Sequence, residues 1–202
     1  WQLVGQGYRF TEGPTANAKG EVFFTDIPNN RIHKVGLDGK VGVFAEDTGG
    51  ANGLKFGPDG RLYAAANGRK QIVAYDARGA KTVVAEGLES NDLCITSGGR
   101  LYVTDPVNKK VWLVQPDGSK RVVDEGVAFP NGVQLSPDQT LLLVADTRGQ
   151  FVWSYQIADD GSLRFKQRYH HLHLVDGSTQ SGADGMTVDR DGRLYVTTEA
   201  GV

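Results

Sequence analysis

Five oxygen-bearing side chains recur at one place in a repeated pattern: Glu12, Asn52, Asn91, Asn131 and Asp184. Each lies nine residues before the first residue after a short turn, namely Glu21, Arg61, Arg100, Thr140 and Arg193. The local contexts are TEGP, ANGL, SNDL, PNGV and ADGM. The set is two carboxylates and three amides, with no Lys, Arg or aliphatic residue at the position. Convergent oxygen donors without soft ligands suit a hard divalent cation such as calcium or magnesium. Zinc ordinarily recruits His or Cys. Turn chemistry is the competing account. Asn-Gly and Asp-Gly favour turns, which covers Asn52, Asn131 and Asp184 but poorly explains Glu12.

The elements that must position these residues are legible in the repeats. Five segments share one form, an apolar run, a Gly- or Asp-containing turn and a second apolar run: 13–26, 53–66, 92–105, 132–146 and 185–198. That form predicts β-hairpins. The post-turn residues are spaced by 40, 39, 40 and 53 positions. Between the hairpins lie further strand–turn–strand segments at 30–46, 70–86, 109–125 and 149–169. Four antiparallel strands per ~40 residues predict an all-β chain of β-propeller blades. No sustained helical apolar period competes with this reading. Innermost propeller strands line a central channel, so the five residues, in the loops entering those strands, are expected as a ring at one mouth. The long fourth interval predicts a loop over 170–182, in a region where connections often carry function.

Composition removes several function classes. Lys plus Arg number 22 against 24 acidic residues, a net charge of −2, so no footprint for nucleic acid or an anionic membrane is present. No apolar run approaches the ~20 residues of a membrane helix. The chain has one cysteine, Cys94, so no internal disulfide is available. No G-x-S-x-G or C-x-x-C supports serine-nucleophile or redox chemistry. His170, His171 and His173 form an HHLH run, but it lies away from the ring. Asp26, Asp105 and Asp146 end their hairpins and read as blade-to-blade hydrogen-bonding groups.

The runs FTEGPTANAKGEVFFTDIPNNRIHKV, SNDLCITSGGRLYVTDP, FPNGVQLSPDQTLLLVADT and ADGMTVDRDGRLYVTT resemble the gluconolactonase, regucalcin (senescence marker protein) and luciferin-regenerating family. The diisopropyl-fluorophosphatase branch is similar. The resemblance extends over essentially the whole chain. It implies a six-bladed β-propeller with a divalent cation in its channel, calcium first, with magnesium, zinc or manganese as alternatives. It implies metal ligands at Glu12, Asn131, Asp184 and Asn91, with Asn91 and Asn52 as substrate contacts. It also implies a small-molecule substrate, a sugar lactone or related cyclic ester. The cation would polarise the carbonyl, and either a carboxylate, assigned to Asp184, or an acidified water would deliver hydroxide. One position departs from the pattern: Glu89 stands where a sugar-contacting arginine is implied. The alternatives are a phosphotriesterase-like hydrolase on the same cation and a non-catalytic binding propeller tied by the ion.

With the repeat in hand, the 202 residues read as a single propeller domain over 1–202, incomplete at the C-terminus, of about four and a half blades. Residues 1–7 read as an outer strand closing a further blade. On the order of 80 to 100 more residues would complete six blades. An open ring exposes sheet edges, so self-association or pairing with a complementary fragment is expected.

Overall fold

The computed structural model describes residues 3–202. Two compact units divide the chain, Trp1–Ser90 and Asn91–Val202. The first holds two four-stranded antiparallel sheets. Sheet one is β1 (Thr11–Ala16), β2 (Val22–Asp26), β3 (Arg31–Val35) and β4 (Val41–Glu46). Sheet two is β5 (Ala51–Phe56), β6 (Leu62–Ala66), β7 (Gln71–Tyr75) and β8 (Lys81–Glu86). The second unit opens with sheet three, β9 (Leu93–Ile95), β10 (Leu101–Asp105), β11 (Lys110–Val114) and β12 (Lys120–Glu125). Sheet four follows, β13 (Pro130–Leu135), β14 (Leu141–Asp146), β15 (Phe151–Ile157) and β16 (Leu163–His171). A two-stranded sheet of β17 (Met186–Val188) and β18 (Leu194–Val196) ends the series. Strand order follows chain order in every sheet, the meander of a propeller blade. Among the described residues the helical elements are two short 3-10 turns, and no helix is long and apolar enough to cross a membrane.

Burial explains why these segments are strands. All five residues of β6 and of β10 are buried, because a second strand of a blade has apolar neighbours on both faces. In the outer strands β4 and β8 only Ala45 and Ala85 are buried, as an edge strand has solvent on one side. In the first unit Phe23, Ile32, Leu54, Leu62 and Tyr75 form the core between sheets one and two. In the second, Tyr102, Leu113, Val133, Leu142 and Tyr155 pack between sheets three and four. Leu143, Val152 and Leu172 then pack toward Met186 and Leu194. The strand expected over 1–7 does not form in its described part. Residues 3–7 join no sheet and Leu3 is 78% exposed, and a strand exists only with a partner ladder. Trp1 and Gln2 lie outside the described residues.

The two inter-sheet cores differ at a buried tyrosine. Tyr155 donates its hydroxyl to Asp124 Oδ2 at 2.8 Å. Tyr75 occupies the matching repeat position, but Ala45 stands where Asp124 would be, paired to Ile32 as Asp124 is to Val111. The Tyr75 hydroxyl is buried with no hydrogen-bond partner, and burial pushes its pKa up to about 12. An unsatisfied buried hydroxyl costs roughly 1–3 kcal/mol, whereas a made hydrogen bond contributes about 1 kcal/mol. Tyr75→Phe is therefore expected to leave the melting temperature unchanged or raised. Tyr155→Phe should lower it by about 2–4 °C per kcal/mol lost. Calorimetry on the two variants checks the sign difference, and equal losses would refute the assignment of Tyr75 as an orphan.

Candidate functional site

The five candidate residues fall at the starts of the innermost strands, not uniformly in the loops before them. Glu12, Asn52 and Asn131 are the second residues of β1, β5 and β13. Asn91 and Asp184 precede β9 and β17 by two residues. The difference has a local cause. The pairing slips between Glu12 and Thr15, between Ala51 and Leu54, and between Pro130 and Val133. Each slip places one extra residue on the inner strand, a bulge that bends the strand and re-aims its side chains. Without regular pairing, Asn91 and Asp184 keep the same backbone role: Asn91 N–H donates to Thr104 O at 2.8 Å and Asp184 N–H to Thr197 O at 3.0 Å.

In the first unit, Glu12 and Asn52 are neighbours through the backbone. Thr25 Oγ1 bridges their carbonyl oxygens at 3.0 and 3.1 Å. Gly13 sits in the left-handed region at φ 53°, and a Cβ there would overlap the Asn52 carbonyl. The Glu12 carboxylate accepts the Gly13 N–H at 3.2 Å. Glu89, the position that departs from the family pattern, pairs with Lys70 at 2.5 Å.

In the second unit, β9 packs beside β13 and β13 beside β17. This sets Asn91, Asn131 and Asp184 at the starts of three successive inner strands. A Cβ on Gly132 would overlap the Asp184 carbonyl oxygen, so the glycine after Asn131 serves a close backbone approach rather than a turn. Asn131 is 7% exposed. Its amide donates to Thr147 Oγ1 at 3.1 Å, and Thr147 in turn donates to Ala183 O at 2.6 Å. The same amide lies near enough to the Asp184 carboxyl to favour its charged form. Burial pushes the Asp184 carboxyl above its ordinary value, and the Asn131 amide only partly offsets this. No cationic side chain among the described residues contributes to that balance.

Two supporting residues escape the spacing argument. Asp92 accepts the Leu93 N–H at 2.8 Å and the Val133 N–H at 3.2 Å, tying β9 to the strand carrying Asn131. Its signal is faint but present: Asp92 occupies the column where the other four repeats have glycine. Thr147, which orients Asn131, follows the repeated aspartate and has no signal beyond that. His170 and His171 end β16, exposed, with His171 against the Phe151 ring at 5.2 Å. Among the described residues no three His, Cys, Asp or Glu side chains are grouped to hold a metal. The donor set at Asn91, Asn131 and Asp184 is one carboxylate and two amides. A partly buried carboxylate without a cationic partner, beside neutral oxygen donors, fits a hard cation.

Comparison with known proteins follows this geometry. The family described as "SMP-30/Gluconolactonase/LRE-like region" matches residues 10–201. A gluconolactonase from Zymomonas mobilis is 27% identical over 241 residues, covering 100% of this chain and 68% of that protein. Pentonolactonase XacC from Haloferax volcanii is 24% identical, covering 96% and 68%. The solved structure of a gluconolactonase from Xanthomonas campestris superposes with a TM-score of 0.83 at 25% identity, covering 96% of this chain and 71% of that one. The expected all-β, propeller-bladed fold class stands.

Proposed function

The chain belongs to the SMP-30/gluconolactonase/LRE-like family, and from that premise we propose that it hydrolyses lactones with a divalent cation, calcium first, held by Asn91, Asn131 and Asp184. The observation that carries this reading is the juxtaposition of Asn131 and Asp184, set by the backbone approach at Gly132. Glu12 and Asn52 take the same donor and contact roles on the strength of their repeat positions. When bound, the cation supplies Lewis acidity toward the lactone carbonyl. Asp184 receives the proton of the attacking water as the water oxygen bonds to the acyl carbon. It returns that proton to the alkoxide freed when the ring C–O bond breaks, leaving a hydroxy acid. Asn131, pinned by Thr147, holds the carboxylate in place. The lactonase names of the relatives support this substrate class.

The test has two readouts. A pH-indicator assay over γ- and δ-lactones, with an organophosphate triester as contrast, is expected to show lactone turnover that a chelator removes and calcium restores. Calcium at about 100 times its Kd adds roughly 2.7 kcal/mol of stability, so the chelator-treated protein should melt several degrees higher when calcium is returned. Unchanged melting together with chelator-resistant turnover would overturn the cation. Triester turnover without lactone turnover would overturn the substrate class.

A further inference from the structure

A cavity of about 540 Å³ opens at the hairpin-turn end of sheets one and two, at the far end of the inner strands from Glu12 and Asn52. That volume lies within the range of small-molecule sites. Its apolar wall is four aromatic rings. Phe23 meets Phe44 and Phe56 edge-to-face at 5.0 and 5.2 Å, and Phe44 meets Tyr75 at 6.1 Å. Four charged side chains line the rim, Glu21 and Asp76 against Lys19 and Lys34. Glu21 pairs with Lys34 at 3.0 Å, and Asp76 accepts the N–H groups of Arg78 and Ala80 in its own turn.

The second unit shows what this space is for when it is filled from within. There β15 and β16 are longer than β7 and β8, and the turn joining them folds over the end of the core. Gly161 O accepts the Tyr102 hydroxyl at 2.9 Å. A Cβ on Gly161 would press on Leu113 and Arg100, and Arg121 clamps Asp160 O at 2.9 Å. Ile157 and Leu163 add apolar cover. By repeat position, Tyr102, Leu113 and Arg100 correspond to Phe23, Lys34 and Glu21. In the first unit the turn after Tyr75 is too short to reach this seat. The hydroxyl that would need a carbonyl is also gone, because Phe23 replaces Tyr102.

We propose that this cavity binds a neutral aromatic small molecule at a site separate from Asn52 and Glu12. A planar ring extends the edge-to-face pattern of Phe23, Phe44 and Phe56, which favours such contacts over aliphatic filling. The rim charges balance, two acidic against two basic, with Glu21 and Lys34 already paired, which favours a ligand without net charge.

Fluorobenzene observed by fluorine NMR is a direct probe, with 4-fluorobenzoate as its charged counterpart. Saturable binding of fluorobenzene with Kd on the order of 1 mM is expected for a ligand this small. Ala77→Trp covers the mouth from an exposed rim position and should weaken binding at least tenfold while melting and lactone turnover hold. Ala18→Trp approaches from the opposite rim and serves where Ala77→Trp does not fold. No saturable binding up to roughly 10 mM, or equal binding in both tryptophan variants, overturns the site. Tighter binding of the benzoate overturns the neutral-ligand assignment.

Discussion

Asp184→Asn is expected to lower kcat/KM for lactone hydrolysis by roughly 10²- to 10⁴-fold without destabilising the protein. The substitution is nearly isosteric, so the contact with the Asn131 amide can be kept with the side-chain oxygen. What it removes is the negative charge. Burial disfavours that charge in the free protein, as the upward shift of the carboxyl records. The free variant should therefore melt at the wild-type temperature or above it. A cation needs the charge, so the calcium-induced rise in melting temperature should shrink in the variant while it persists in wild type. A residue with only a structural role would give the opposite signature, lower stability with a retained calcium response. Turnover above about a tenth of wild type, well outside the range for losing an acid–base group, would sink the assignment of Asp184.

Much of this arrangement is legible in the sequence, because the repeat is written in two periodicities that local physics enforces. Alternating apolar residues and turn-forming Asp, Asn and Gly placed the four four-stranded sheets and the final hairpin. The nine-residue interval placed the candidate residues at the inner-strand starts. Spacing could not reveal the bulges at Glu12, Asn52 and Asn131, because an extra residue on one strand is defined only by the strand opposite. Glycine's role is hidden in the sequence for a related reason. The Gly after Asn131 looks like half of a turn pair, but it is demanded by a carbonyl 52 positions away in sequence, that of Asp184. Asp92 and Thr147 carry little sequence signal because their partners, Val133 and Asn131, are also distant. The three aspartates that end the second strands look equivalent in sequence and are not. Asp26 bonds the N–H groups of Arg9 and Phe10, and Asp146 those of Ala128 and Phe129. Asp105 bonds only its own turn at Asn108 and the Trp112 indole, so in place of the expected blade-to-blade bonding Asp26 and Asp146 tie down the loop entering their own sheet, and Asp105 does not.

That contrast makes Asp146 the residue whose loss should reach furthest. Its side chain is 4% exposed. Oδ1 accepts the Phe129 N–H at 2.9 Å, and Oδ2 accepts the Ala128 N–H at 3.2 Å and the Trp153 indole N–H at 3.4 Å. A Cβ on Gly149 would overlap the carboxylate at Oδ2, so the glycine leaves the space that Asp146 fills. Asp146→Ala strips the acceptor from two backbone donors and an indole together, at about 1–3 kcal/mol for each buried donor left unmet. A total near 3–5 kcal/mol corresponds to a melting temperature lower by roughly 10 °C or more. The effect should not stop at stability. Ala128 and Phe129 lead directly into Pro130 and Asn131, so a slackened loop releases the amide that holds Asp184, and lactone kcat/KM should fall with it. Asp105→Ala is the control: it also removes a buried carboxylate with an indole partner, but its other bonds stay within one turn. It should destabilise the protein while leaving turnover of the folded fraction intact. If Asp146→Ala melts within about 2 °C of wild type, a shift worth under 1 kcal/mol, the carboxylate is not the anchor of that loop.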